Sequence, residues 1–549
     1  MRKTLTTLAL AAGALAAAGC GDKFITEVPV DFVAPENFYQ TQTDALASVN
    51  AAYATFINQP LGTASYVGRN LFMLVEYPSD ALTSRLSATN ERSLIGNYNP
   101  QFSSSHPYIE SVYQSAYAGI NRANTTIARV PAIAMDPTRR AQIVGEAKFL
   151  RALHYYWLAG LFGGVPIKLT ETAGISEVPP ARATAVETWA QIEKDLTEAA
   201  AVLPVSWGSS DYGRATKGAA LTLLGKAYLQ AAATLPTQSG DYAKAADAFR
   251  QVMTLGAGYK LDANYGSLFD GTNEKSSEII FAIQNIRVAG AGGYMSQWDA
   301  PVTAPAIYQP GAQNQYQAER PFYDSYDTTD VRKAGTWLTS FTNNGKTVTW
   351  KWNDAATVTS ANYGSTGPVP RKFLDLGATA AGAEEPDFVV LRYADVLLGL
   401  AEAIDGSGGP TAEAYTAVNQ VRARAHPTAG LSTALAAQAL AKQTLVPGLS
   451  QAAFKDSVFA ERRFEFAVEM QGVFDNRRDW DWSKARNLAN MANRTTLNKS
   501  PNTSATEKAT NPIDDKWKLY PIPQHACELN HALTQNPGWD DGICRPAGS

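Results

Sequence analysis

Ile143-Val144-Gly145-Glu146-Ala147-Lys148-Phe149-Leu150-Arg151-Ala152-Leu153-His154-Tyr155-Tyr156-Trp157-Leu158 carries Ile143, Ala147, Leu150, His154 and Leu158 on one stripe, at i, i+4, i+7, i+11 and i+15. The spacing predicts a helix over 138–163 with a face that needs partners. Partners are written on both sides of it. Residues 41–58 and 111–130 read as helices before it, and 184–203, 214–233 and 241–256 after it. Pro204, Gly208, Gly213, Pro236 and Gly240 separate the later ones and punctuate helical hairpins. Leu224-Gly225-Lys226-Ala227-Tyr228 fits half of a tetratricopeptide repeat, and Ala245 with Phe249 fits its second helix, across a loop longer than the repeat allows. Small residues would let the two helices approach while Tyr228 and Phe249 fill the space between pairs.

A second helical block starts at Phe388, where Val389, Tyr393, Val396, Leu397, Leu400 and Ile404 form a stripe that stops at Gly406-Ser407-Gly408-Gly409-Pro410. Helices over 411–425 and 451–475 follow, and the Pro- and Asn-rich tail from 500 reads as loop with short turns. Between the blocks, 259–386 changes character. Short β-type runs at 278–284 and 347–352 alternate with Gly- and Pro-rich loops, among which Trp298, Tyr308, Trp337, Trp350, Trp352 and Tyr363 are concentrated. Residues 60–110 form another long loop region, holding Tyr66, Arg69, Tyr77, Asp80, Arg92, Asn97 and Tyr98. Loops this long on a rigid scaffold usually carry function. The expected fold class is mainly α, a tetratricopeptide-like helical scaffold bearing an irregular, loop-rich and partly β subdomain.

Charge excludes some partners. Forty-seven basic and 51 acidic residues in 549 give a net charge of −4, so no global positive field attracts nucleic acid. Charged residues are only 18% of the chain against 45% hydrophobic, which describes a folded protein with an unusually uncharged surface. Its 24 Tyr and 11 Trp supply amphipathic rings for interfaces or ligands.

Arg2 and Lys3 precede an apolar run from Leu8 to Ala18 that ends at Gly19-Cys20, the pattern of a secretory signal over residues 1–19. The run is too short to span a bilayer. Leu15-Ala16-Ala17-Ala18-Gly19-Cys20 resembles the lipobox of bacterial lipoproteins, apart from Ala17 where Leu is usual, so Cys20 is the expected lipidation site. Ordinary cleavage after Ala18 is the alternative. Two acyl chains would anchor the protein to a membrane without spanning it. With Cys20 set aside, Cys527 and Cys544 are left as an even pair, either a disulfide of the exported protein or two free thiols. His525, Cys527 and His531 match no standard zinc spacing, so no metal is expected.

Several motifs then converge. Tyr117-x-x-Ile120-Asn121-x-x-Asn124, Gly145-Glu146-Ala147-x-Phe149-Leu150-Arg151-Ala152-x-His154-Tyr155 and Leu161-Phe162-Gly163-Gly164-Val165-Pro166 resemble the N-terminal half of the SusD/RagB family of outer-membrane nutrient-binding lipoproteins. Leu391-Arg392-Tyr393-Ala394-Asp395-Val396-Leu397-Leu398, Val418-Asn419-x-Val421-Arg422-x-Arg424-Ala425, Glu461-Arg462-Arg463-x-Glu465-Phe466 with Gly472 and Arg477-Arg478, and Leu519-Tyr520-Pro521-Ile522-Pro523 are similar to its C-terminal half. Gln535-Asn536-Pro537-Gly538-Trp539 agrees as well. The resemblance implies one SusD-like unit in which the helical parts 20–258 and 387–549 pack together around the insertion 259–386. It also implies a lipid-anchored protein of the cell outer membrane, facing the exterior, that passes oligosaccharide or another nutrient to a SusC-like TonB-dependent transporter. No cofactor is implied.

Glycan recognition needs aromatic faces for sugar rings and planar polar groups for hydroxyls. Residues 60–110 and 286–365 supply both, and the candidates are Trp298, Tyr308, Trp337, Tyr66 and Tyr98, with Arg92, Asn97 and Asp80 as polar partners. Against each stands the simpler role of a packing residue. Glu461, Glu465 and Glu469 lie at i, i+4 and i+8, and one helix face cannot place two carboxylates across a sugar. They read as an ion network with Arg151, Arg422 or Arg477, and Asp479 and Asp481 as turn or cap residues. No nucleophile elbow, H-E-x-x-H or phosphate loop occurs in the sequence, so the expected role is binding without chemistry. A secreted glycoside hydrolase and a tetratricopeptide-type protein-interaction scaffold are the competing readings.

Overall fold

The computed structural model describes residues 38–57, 66–84, 90–172, 174, 179–288, 290–299, 315–343, 346–349, 367–375, 377–378, 380, 382–497 and 511–546. Cys20, the leader 1–19 and Tyr308 lie outside the described residues, as do Trp350, Trp352 and Tyr363. Twelve of its helices build the scaffold: α1 (Gln42–Tyr53), α2 (Pro107–Arg129), α3 (Pro137–Phe162), α4 (Ala185–Val202), α5 (Lys217–Thr234), α6 (Asp241–Thr254), α7 (Tyr393–Gly408), α8 (Ala412–Ala425), α9 (Thr433–Lys442), α10 (Gln451–Phe466), α11 (Gly472–Arg478) and α12 (Trp480–Leu497). Their starts are set by local chemistry. Thr41 with Asp44 and Thr184 with Glu187 form capping boxes, and Asp136 caps α3 ahead of Pro137.

Consecutive helices from α2 to α8 pack on one another, and α1 lies against α2 and α3. The chain leaves this stack after α6 and re-enters at α7, which packs on α6, so the helical order continues across the intervening segment. Phe249 of α6 is the pin between them. A Cβ on Gly225 of α5 would come within 2.7 Å of its ring and one on Gly399 of α7 within 2.6 Å, so both neighbours need glycine for the approach. The repeat-like reading of Gly225 and Phe249 therefore describes real packing. Helix α3 goes beyond its single stripe: from Gly145 to Phe162 every residue except Lys148 is buried, as expected of a central helix.

The strands are short and antiparallel. β1 (Leu82–Ser84) pairs with β3 (Tyr316–Ala318), β2 (Ile279–Ile283) with β8 (Phe388–Arg392), β4 (Trp337–Leu338) with β7 (Val369–Pro370), and β5 (Ser340–Asn343) with β6 (Lys346–Thr349). Here the sequence reading needs correction. Residues 388–392 are strand and α7 begins only at Tyr393, because a short run of buried apolar residues has no period to distinguish the two conformations. The helix expected over 451–475 breaks between Phe466 and Gly472. Val468 and Met470 take positive φ there, and the Glu76 carboxylate accepts the N–H of Val468 at 2.6 Å and of Gly472 at 3.3 Å. Burial pushes the Glu76 carboxyl up to about 7, against the pull of those two N–H groups. Helices α9 and α12 were not expected. Residues 60–110 hold ordered turns, Tyr66–Leu71, Phe72–Glu76 and Glu91–Gly96, rather than plain loop.

The carboxylate ladder is an ion network, with different partners from those expected. Arg392, fully buried, donates to Glu278 at 2.8 Å, Glu465 at 2.5 Å and Glu469 at 2.7 Å. Arg424 reaches Glu278 at 3.1 Å and also Glu465, Arg332 reaches Glu461 at 2.6 Å and Glu465 at 3.1 Å, and Lys372 reaches Glu469 at 2.5 Å. Of the arginines named from sequence, only Arg422 joins, at 3.0 Å from Glu461. Arg151 instead holds Asp195 and Asn124, and Arg477 the Gly160 carbonyl. Although it is buried, Glu465 is held well below the ordinary carboxylate range by Arg424, Arg392 and Arg332. At the C-terminus Cys527 and Cys544 are bonded, their Cα atoms 5.1 Å apart. Among the described residues no helix is long and apolar enough to cross a membrane.

Candidate ligand-binding surface

Two segments far apart in sequence meet at Trp298. The indole sits on the short helix Met295–Asp299, whose first N–H groups are fixed from outside: Glu384 accepts from Ser296 at 2.8 Å and from Gln297 at 3.0 Å. Burial pushes the Glu384 carboxyl up to about 8, while the same two N–H groups pull it down. The Ser296 hydroxyl accepts the Asp375 N–H at 2.7 Å, and the Trp298 carbonyl accepts the Gln315 N–H at 2.8 Å, which joins this helix to β3.

Arg69, on the turn Tyr66–Leu71, lies over the Trp298 ring with its guanidinium carbon 4.3 Å from the centroid, and Arg92, from Glu91–Gly96, approaches the same ring at 5.7 Å. Both arginines also converge on the Tyr108 hydroxyl, Arg92 Nε at 2.7 Å and Arg69 Nη2 at 3.4 Å, and that hydroxyl donates to Glu91 at 3.3 Å. Asn90 caps the Arg92 helix, and His106 with Pro107 starts α2 so that Tyr108 falls in its first turn. Burial raises the Tyr108 pKa, and the arginines pull the other way. The arrangement gathers guanidinium, hydroxyl and carboxylate groups, the donor and acceptor set that polyhydroxylated ligands require, around an aromatic plane that Arg69 covers.

Of the eight ligand candidates, the structure brings Trp298 and Arg92 together. Trp298 is only 4% exposed, because Arg69 occupies its face. The other described rings take packing roles, and Tyr308 lies outside the described residues. Tyr66 is fully buried, parallel to His154 at 5.8 Å and edge-on to Trp157 at 5.9 Å. Tyr98 donates to the Pro78 carbonyl at 2.6 Å and meets Trp517 edge-on at 5.1 Å. Trp337, 2% exposed, packs against Phe322 at 6.2 Å. Asp80 is buried between Arg463 and Arg486, the latter at 3.0 Å, and these keep its pKa low. The Asn97 carbonyl accepts from Asn511 at 3.0 Å. Four of the candidates are thus committed to the interior, because a loop-borne ring or carboxylate gives no periodic signal of which way it faces. The sequence reading names Arg69 among the residues of the 60–110 region but not among the ligand candidates, and it does not name Tyr108. Tyr108 falls where loop reading gives way to helix reading, and its one signal is the adjacent Pro107.

The family model described as the SusD family matches residues 241–539, and a second, described as "Starch-binding associating with outer membrane", matches 35–229. SusD-like protein P2 of Formosa agariphila is 26% identical over 473 residues, covering 84% of this chain and 88% of that protein. The fold is similar to that of a SusD homolog from Bacteroides thetaiotaomicron, with a TM-score of 0.77 at 23% identity over 94% of this chain and all of the other. It is similar as well to surface glycan-binding protein A of the same organism in complex with laminarihexaose, with a TM-score of 0.69 at 20% identity over 90% of this chain and all of that one.

Proposed function

The chain belongs to the SusD family, and from that premise we propose that it is a lipid-anchored glycan-binding protein of the outer membrane that holds an oligosaccharide at the Trp298 surface and passes it, unaltered, to a SusC-like TonB-dependent transporter. The observation that carries the binding reading is the convergence of Arg69, Arg92 and Tyr108 on one indole, at the meeting of the two loop regions. A sugar reaches the Trp298 face by displacing the Arg69 guanidinium, after which the same guanidinium and the Tyr108 hydroxyl are placed to hydrogen-bond its edge. The glycan-bound relative of similar fold and the starch-binding description of the N-terminal match support this assignment.

The state of the carboxylates supports binding without chemistry. Glu461, Glu465 and Glu469, the acids whose spacing invites a hydrolytic reading, are buried under arginine and lysine, and Glu465 is held ionised, unable to act as a proton donor. Affinity electrophoresis in gels containing starch or laminarin tests the assignment. Retardation with the polysaccharide intact is the expected result. Cleavage would make the protein a hydrolase, and migration unchanged across a panel of polysaccharides would favour a scaffold or a non-glycan nutrient.

A further inference from the structure

A cavity of about 460 Å³ opens between the C-terminal ends of α3 and α5, the start of α4 and the junction of α11 with α12. Its size suits a small molecule, and none of Arg69, Arg92, Tyr108 or Trp298 lines it. Its wall contains Arg477, which is 8% exposed and electrostatically anomalous. Each of the other arginines between 462 and 486 holds a carboxylate: Arg462 has Asp475, Arg463 and Arg486 share Asp80, and Arg478 has Glu402 and Asp475. Among the described residues Arg477 has none. Its Nη1 donates to the Gly160 carbonyl, Nη2 donates to nothing, and the Tyr520 ring at 5.0 Å supplies the remaining compensation. Burial accordingly pulls the Arg477 pKa down to about 10.

Burying a guanidinium without an acid is costly, and holding one carbonyl does not need a charge. The rest of the wall supplies surfaces for an organic body: Trp189, Trp480 and the small residues Ala159 and Gly160. The Trp480 indole is fixed by its N–H, which donates to Asp515 at 3.1 Å. Asp479 and Asp481 also line the cavity, Asp479 being paired with Lys455 at 2.9 Å. Those acids disfavour a ligand of high negative charge. We infer that the cavity binds a small organic monocarboxylate, its carboxylate on Arg477 and its body against Trp480 and Trp189.

Titration calorimetry of the purified protein with sodium glucuronate and sodium phenylacetate, against glucose and inorganic phosphate, tests this. At least one carboxylate should bind and both controls should not. Glucuronate alone points to a carboxylated sugar as the natural ligand, phenylacetate alone to an aromatic acid. Arg477→Met should weaken binding at least tenfold with the melting temperature unchanged or raised, because the variant removes an unpaired buried charge. Arg477→Lys, which keeps the charge without the planar fork, and Trp480→Ala, which removes a wall of the cavity, should each weaken binding in a protein that still folds. The inference is overturned if neither carboxylate binds, if glucose or phosphate binds as well as they do, or if the Arg477 and Trp480 variants bind like the wild type.

Discussion

Trp298 and Trp337 are both tryptophans of the loop-rich segment and both nearly buried, yet their neighbours give them opposite expected behaviour. Trp298 lies under the Arg69 guanidinium beside Tyr108, whereas Trp337 packs against the Phe322 ring. Trp298→Ala should cost about 1–3 kcal/mol in glycan affinity, roughly tenfold or more, in a protein that still folds although the loss of an indole only 4% exposed lowers its melting temperature. Trp337→Ala should instead lose about 3–5 kcal/mol of stability. Calorimetry beside thermal denaturation separates the two, and a Trp298 variant that only unfolds would refute the binding role. Glu465 tests the ion network. Replacing it with Ala takes one carboxylate away from each of the buried Arg392, Arg424 and Arg332, so a loss of about 3–5 kcal/mol is expected from urea denaturation. His154 brings a pH dependence. Burial lowers its pKa from 6.5 to about 3, with the Thr55 hydroxyl at 3.2 Å and the Tyr66 hydroxyl at 3.4 Å as its partners. The unfolded chain therefore takes up a proton below pH 6.5 that the folded one refuses, and stability falls as pH drops from 6.5 toward 3. At pH 5 the penalty is about 2 kcal/mol, and His154→Gln should flatten that part of the melting-temperature profile.

Helix contacts were legible where glycine sits opposite a large ring. Gly399→Ala gains about 1 kcal/mol of helix propensity but drives a methyl into the Phe249 ring, which is fully buried and cannot withdraw. Overpacking costs about 1–3 kcal/mol, so a net fall in melting temperature is expected, and a rise would show that α6 and α7 can separate. The same logic explains what sequence reading recovered among the elements. Long helices with caps and a stripe, such as α3 and α4, announce themselves locally. The β8 strand and the break after Phe466 do not. The first is a short apolar run with no period of its own, and the second is held by Glu76, nearly four hundred residues earlier in the chain.

For the whole molecule, the proposed anchor and partner give the broadest test. Metabolic labelling with a palmitate analogue should mark the wild type and leave Cys20→Ser unmarked and soluble after export, while the wild type co-purifies from outer membranes in mild detergent with a large TonB-dependent barrel. Equal labelling of both forms, or recovery only as a free monomer, would refute the anchor or the partnership respectively. The sequence alone determined the mainly helical class, the order of the principal helices, the interruption between α6 and α7 and the family, because periodicity, caps and ordered motifs are local properties written along the chain. Only the tertiary structure decided which loop-borne side chains face one another. It buried Tyr66, Tyr98 and Asp80, set Arg69 and Arg92 on Trp298, and left Arg477 in a cavity wall with no acid paired to it among the described residues. Those outcomes depend on contacts between residues hundreds of positions apart, and a side chain in an irregular segment has no period from which its direction can be read.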